Sequence, residues 1–164
     1  MLSSYNLYLF WCFVQNIKGE GRTGSGMDFS SIRTVQSLCS ALGIPTCDLL
    51  LPCILCDCYL HLPDLQNFDA APFTLVWRQG GAYGICTDCS RVSATFERTN
   101  FYQGSYSADG YLAVFGEAVF CVPVRCLYCL HRLTIQEIDC MVQSQQIFYL
   151  VRGILRGVCE GCNN

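Results

Sequence analysis

Eight of the fourteen cysteines in this chain fall into four Cys-x-x-Cys pairs, Cys53/Cys56, Cys86/Cys89, Cys126/Cys129 and Cys159/Cys162. The intervals between pairs are 29, 36 and 29 residues, so one unit of the form C-x2-C-x29-C-x2-C occurs twice. Adding 73 to each cysteine number of the first unit gives the second, which marks an internal duplication. Two residues between thiols let both sulfurs face one ion, and four thiolates close a tetrahedral zinc site. The spacing therefore predicts two zinc ions as the only cofactors. The other six cysteines, Cys12, Cys39, Cys47, Cys58, Cys121 and Cys140, read as structural or surface thiols. Cys58, two residues past Cys56, is the one competitor for a ligand place. His61 and His131 lie close behind ligand pairs that already supply four thiolates each, and read as exposed or supporting histidines.

Other cysteine chemistries fit less well. A disulfide framework belongs to secreted scaffolds and calls for a signal peptide. A thioredoxin-like enzyme needs one reactive pair at a helix start after a strand, not four pairs in duplicate. There is no Ser/His/Asp arrangement and no phosphate loop, and a zinc held by four cysteines keeps no open position for substrate or water. The chain is expected not to be an enzyme.

The elements that must position these thiols can be read from the intervening residues. At 164 residues, each half is near the size at which a hydrophobic core alone is marginal. A structural zinc couples roughly 10–16 kcal/mol of apparent free energy to folding. Ile32, Val35, Leu38, Cys39 and Leu42 recur at helical spacing between Ser30 and Leu42, with Gly43 and Pro45 as the stop, and Cys39 and Cys47 read as core. Leu60, Leu62, Leu65 and Phe68 around Pro63-Asp64 predict a short helix covering a sheet. Phe73–Arg78 reads as a strand, Gln79-Gly80-Gly81 as a turn, and Ala82–Ile85 returns to Cys86, so a hairpin delivers the second thiol pair to the first. The second copy keeps this plan, with Leu133, Ile135, Ile138, Gly157 and Val158 matching Leu60, Leu62, Leu65, Gly84 and Ile85, and Ile147–Val151 as its strand. Between the units, Arg91–Phe101 has Val92 and Phe96 one turn apart and reads as a helix, broken by Gly104–Gly110. From Tyr111 to Val124 the pattern does not separate helix from strand.

Leu7–Val14 is apolar but too short to cross a bilayer as a helix, and no Lys or Arg precedes it. The flexible Gly19–Gly26 follows, and then Met27. Residues 1–26 thus read as an upstream or disordered extension without a membrane role. Ten Lys and Arg are scattered against thirteen acids, for a net charge of −3. Nucleic-acid binding through a basic stripe is then expected to be weak and salt-sensitive, or absent.

The fold class expected is α+β (α/β in the broad sense): two duplicated small zinc-binding domains, each a short sheet with helices and a four-cysteine zinc site, joined by a linker helix. The divisions are 1–26 extension, 27–90 first domain, 91–106 linker helix and loop, and 107–164 second domain. The full spacing C-x2-C-x29-C-x2-C-x36-C-x2-C-x29-C-x2-C resembles the papillomavirus early protein 6 family, over about Ile32 to Cys162. Cys47-Asp48-Leu49-Leu50-Leu51-Pro52-Cys53 and Leu75-Val76-Trp77-Arg78 look most like its gamma-genus members, and Met27 resembles their usual start.

The resemblance implies a non-catalytic viral adaptor. In that family two zinc units joined by a helix form a groove for an acidic LxxLL helix of a host protein. By position the apolar wall would include Phe73, Val76 and Ile85, with Ser90 at the linker start, and the polar clamps would include Arg78, Arg125 and Arg152. For Phe73, Val76 and Ile85 ordinary core is the competing reading. Ile154 stands where some relatives carry a further arginine. Implied partners are a Mastermind-like Notch coactivator, towards which this chain leans, or a ubiquitin ligase through which relatives degrade the tumour-suppressor transcription factor. The terminal Glu160–Asn164 lacks the pattern of relatives that bind PDZ domains, so no PDZ partner is expected. The family implies action in host nucleus and cytoplasm on transcription, differentiation and apoptosis, and leaves room for weak self-association. The alternative is a zinc-dependent nucleic-acid-binding transcription regulator.

Overall fold

The computed structural model describes residues 31–71, 73–116 and 121–163. The expected extension 1–26, and Cys12 with it, lies outside the described residues. The chain divides into two compact units, Met1–Cys89 and Ser90–Asn164.

In the first unit, helix α1 (Val35–Leu42) starts at Thr34, whose hydroxyl accepts the Ser37 N–H, and stops at Gly43 in the left-handed region at φ 66°. Helix α2 (Leu62–Ala70) starts with Pro63 in its first turn, and its Asp69 carboxylate accepts the N–H groups of Val35 and Gln36 at 2.8 and 2.9 Å. One helix thus satisfies orphan donors of the other. Strands β1 (Val76–Arg78) and β2 (Gly81–Tyr83) pair antiparallel, with Val76 opposite Tyr83. Gln79 at φ 49° and Gly80 at φ 79° form the two-residue turn whose twist suits a hairpin. Val35, Leu38, Leu51, Leu60, Leu65, Phe68, Leu75 and Ile85 fill the core.

Helix α3 (Thr87–Phe101) follows, and the division between units falls within it. The second unit then adds β3 (Tyr102–Tyr106), α4 (Ala108–Phe115), β4 (Arg125–Cys126), α5 (Ile135–Gln143), β5 (Phe148–Val151) and β6 (Ile154–Gly157). Its sheet runs β3-β5-β6-β4, with only the β4–β6 pairing parallel. Tyr111 stacks on Phe148 at 4.0 Å and 15°, above Val124, Leu133, Ile138 and Met141.

The duplication extends to backbone detail. Adding 73 carries α1 onto α4, α2 onto α5, the Gln79-Gly80 turn onto Arg152-Gly153 and the Asp57 positive-φ residue onto Leu130. The bond from Leu60 N–H to the Leu51 carbonyl recurs from Leu133 to Val124, and that from Ile54 to Gly84 recurs from Leu127 to Gly157. The helical caps correspond too, Thr34 with Ser107 and Gly43 with Gly116.

Several sequence expectations are corrected. The first strand is limited to Val76–Arg78, Gly81 belongs to β2 rather than the turn, and β5 starts at Phe148, leaving Ile147 exposed. Cys47 is exposed in a 3-10 turn rather than in the core. Residues 91–106, expected as linker, hold most of α3 and all of β3, which pairs with β5 as part of the second unit's sheet. The helix does end before Gly104, which itself lies in β3. The undecided stretch from Tyr111 begins as helix. On α3 the buried face is Ser90, Ser93, Ala94 and Glu97, whereas Val92 is 49% exposed. The helix read from Val92 and Phe96 is present, but its buried stripe is largely polar, with Ser90 donating to the Cys129 carbonyl and Glu97 pairing with Arg156.

Gly84 and Gly157 occupy equivalent close approaches. A Cβ on Gly84 would lie 2.9 Å from Leu51, 3.0 Å from Leu60 and 3.1 Å from Phe68, all atoms of branched or ring side chains. On Gly157 it would lie 2.6 Å from the sulfur of Met141 and 2.9 Å from Leu133. Methionine bends aside more readily than a phenyl ring. Gly84→Ala is expected to destabilise by about 2–3 kcal/mol and Gly157→Ala by about 1 kcal/mol, read from denaturant midpoints; equal costs would show that the methionine does not yield.

Candidate metal centres

Each thiol set is assembled from a turn and a hairpin. In the first unit, Cys53 N–H donates to the Cys58 carbonyl and Asp57 N–H to the Cys53 carbonyl, a reversal that needs Asp57 at φ 59°. In the second, Cys126 N–H donates to His131 and Leu130 N–H to Cys126, with Leu130 at φ 62°. The second thiol pair of each set comes from the end of the hairpin. Cys53 bridges Gly84 in parallel, as Cys126 pairs Gly157. A carboxylate in the first turn of the covering helix then holds the arriving chain: Asp64 accepts the Thr87 N–H at 3.0 Å, and Glu137 accepts the Glu160 N–H at 3.1 Å. Burial works against the Glu137 charge, but the N–H groups of Thr134 and Glu160, the Thr134 hydroxyl and the nearby His131 outweigh it and hold the carboxyl below its usual range.

The result is two groups, Cys53/Cys56/Cys86/Cys89 and Cys126/Cys129/Cys159/Cys162, whose sulfurs within each group lie within 4.8 Å of one another. Cys56 Sγ and Cys86 Sγ are 3.9 Å apart, and Cys129 Sγ and Cys159 Sγ 3.7 Å. A tetrahedron with zinc–sulfur bonds of about 2.3 Å has edges of about 3.8 Å. Disulfide sulfurs would be about 2.05 Å apart. The donor set therefore fits one zinc per group, with all four cysteines of each group as ligands, and zinc would supply a closed structural cross-link there.

The thiols are tuned unevenly. Burial pushes Cys86 up to about 11 and Cys159 up to about 12, with neighbouring sulfurs adding to the rise, and it drives Cys89 up as well. Cys129 rises chiefly because it hydrogen-bonds to Cys126, and that bond is also the main reason Cys126 falls to about 4. Backbone N–H groups, including Tyr128 at 3.4 Å from the sulfur, add to the fall. Without a cation, a second thiolate in each set is disfavoured by the first.

Cys58 is exposed and belongs to neither group, and His61 and His131 likewise stand outside both. In the first unit, Ile85 and Val76 are buried, and Phe73 packs half-buried on Phe68 at 5.7 Å. Arg78 lines a cleft of about 470 Å³ with Ile54, Asp57, Gln79 and Tyr83. In the second unit, Ser90 is buried and its hydroxyl donates to the Cys129 carbonyl. Arg125 is half-buried and donates from Nη1 to the Leu130 carbonyl at 3.0 Å. Arg152 lies over the Phe101 ring at 4.2 Å.

Sequence reasoning missed one polar feature of the second unit, the ion pair of Arg156 Nη2 with Glu97 Oε2 at 2.6 Å, with side chains 4% and 10% exposed. The available signal was Ser93 and Glu97 one helical turn apart, together with an arginine among apolar residues of the last strand.

A family model described as Early Protein (E6) matches residues 53–162, which begin and end on the first and last ligand cysteines. Protein E6 of Human papillomavirus 9 is 34% identical over 139 residues, covering 84% of this chain and 94% of the relative. Protein E6 of Human papillomavirus 65 is 36% identical over 78% of this chain and 91% of the relative. Protein E6 of the Mastomys natalensis papillomavirus is 37% identical, over 79% and 96% respectively.

Native mass spectrometry under reducing conditions is expected to find two zinc ions, one after Cys53→Ser, and still two after Cys58→Ser; loss of an ion in the Cys58 variant would put that thiol among the ligands. Because thiols held near 11 and 12 must give up protons to bind the metal, zinc affinity should fall as pH falls, by about tenfold or more per unit. Chelator competition at pH 6 and pH 8 reads this directly.

Proposed function

The chain belongs to the papillomavirus early protein E6 family, and from that premise we propose that it is a non-catalytic viral adaptor that captures acidic LxxLL helices of host proteins. The observation that carries this reading is the closure of both thiol groups. Four sulfurs around one point leave no position for a substrate or a water, so the metal's role is to hold shape. Function then rests on surfaces that the two metal-held units present.

Recognition of an amphipathic helix needs apolar surface for the leucines and fixed cations for the flanking acids. Phe73, Val76 and Ile85 serve as apolar contacts in this reading, with Ser90 at the linker start as a further contact, and Arg78, Arg125 and Arg152 read the acids. The buried Ile85 and Val76 contribute by backing the contact surface more than by touching the ligand. The candidate targets are Mastermind-like coactivators, which we favour, and a ubiquitin ligase. Acting on them in the host nucleus and cytoplasm, the protein would redirect transcription, differentiation and apoptosis.

Arg125 is the most informative position. Among the described residues it makes no ion pair, and its Nη1 donates to a carbonyl. Arg125→Ala is expected to weaken an acidic LxxLL peptide by roughly ten- to a hundredfold, the worth of one or two charged hydrogen bonds, in a calorimetric titration of the zinc-loaded protein. Steeply salt-dependent duplex binding, with peptide binding absent, would instead favour a nucleic-acid-binding regulator.

A further inference from the structure

The second unit contains an internal charge arrangement that the metal centres do not explain. Arg125 on β4 and Arg156 on β6 are direct partners in the parallel register, so both side chains leave the same face of the sheet. Arg132 bridges Arg125 on its other side. Arg125 and Arg156 are thus side by side on one face, whereas Arg132 is exposed. Arg156 takes Glu97 in the 2.6 Å ion pair, while Arg125 makes none among the described residues.

The pair is built expensively. A buried ion pair costs desolvation that its attraction only partly offsets, and a well-packed apolar pair would commonly be as stable. Here the cost is greater, because Arg156 Nη1 and the Ser93 hydroxyl, one turn before Glu97 on α3, are buried without hydrogen-bond partners among the described residues. Arg156 thus has a donor that its single carboxylate partner does not satisfy. Arg125 lies beside the positive charge of Arg156 in the register.

We propose that Arg156 is a positioning residue for ligand reading: by sequestering Glu97 it keeps that carboxylate from pairing with Arg125, so that Arg125 stays uncompensated and accepts a carboxylate from an acidic peptide. Glu97 sets the strength of the site by offsetting the positive charge beside Arg125. The half-buried Arg125 is the group that touches the ligand, and Arg156 and Glu97 act through it. The proposal rests on the adaptor reading above for the nature of the ligand, and its geometry lies wholly within the second unit.

The test is a charge cycle on the full, zinc-loaded chain, titrated with a synthetic helical LxxLL peptide bearing flanking acids and with its twin in which glutamines replace them. Arg156→Gln frees Glu97 to turn to Arg125, and acidic-peptide affinity should fall about tenfold. Glu97→Gln keeps an acceptor for Arg156 but removes the competing charge, and affinity for the acidic peptide should rise about threefold. The double variant should recover wild-type affinity, and the glutamine twin should be indifferent to all three changes. A merely structural role predicts the opposite pattern, in which both peptides weaken alike and Glu97→Gln does not rescue Arg156→Gln; either result overturns the proposal. Should Arg156→Gln fail to fold, the Glu97→Gln arm decides alone: unchanged or equally shifted affinity for the two peptides rejects it. If neither peptide binds the wild type, the adaptor reading fails, and acetate titration followed on the Arg125 guanidinium 15N resonance judges the site. A saturable shift enlarged in Glu97→Gln supports the arrangement, and its absence rejects it.

Discussion

Everything in each unit depends on bringing four sulfurs to one point from chain segments thirty residues apart. The paired sulfurs Cys56–Cys86 and Cys129–Cys159 span the first and second halves of their units, at 3.9 and 3.7 Å. Such proximity is repulsive for thiolates alone and becomes favourable with a divalent cation between them. The rest of each unit serves that closure. A positive-φ turn aims the first pair, a hairpin returns the second, and a helix carboxylate fastens the chain just beyond it. The small cores of Leu60, Leu65 and Phe68, or Leu133, Ile138 and Met141, sit against the same glycine that lets strand and helix approach.

Given two such units, the differences between them carry individual character. The described part of the first unit has a two-stranded sheet, whereas the second gathers four strands. The second also takes up most of α3 and uses it unusually, facing serines and a glutamate towards the sheet. Its Glu97–Arg156 pair ties helix to strand through charge. Two copies of one scaffold thus differ, among the described residues, in the size of the sheet and in the buried charge it carries.

Much of this was legible in the chain. The eight ligand cysteines, the duplication and its offset of 73, the covering helices and the hairpins follow from spacing and turn chemistry. What was missed has definite physical causes. The equivalence of α1 and α4 was hidden because their side chains differ, although Thr34/Ser107 and Gly43/Gly116 kept the caps at the same offset. The strand β3 carries two tyrosines and a glycine and offers no alternation, since its pairing with β5 is irregular between Tyr102 and Gly104. The buried face of α3 escaped because hydrophobic periodicity looks for apolar stripes, and this stripe is polar.

The sequence by itself determined where metal could bind and how many times, because thiol spacing translates directly into which sulfurs a short turn can point at one ion. It also determined the family, through intervals that chance does not repeat. Only the tertiary structure decided which side chains stand free to meet a partner. Arg78, Arg125, Arg152 and Arg156 look alike in the chain, yet one lines a cleft, one makes no ion pair among the described residues, one lies on an aromatic ring and one is buried against Glu97. Ion pairing depends on distances between residues far apart in sequence, and those distances exist only after the sheet and the helix have packed.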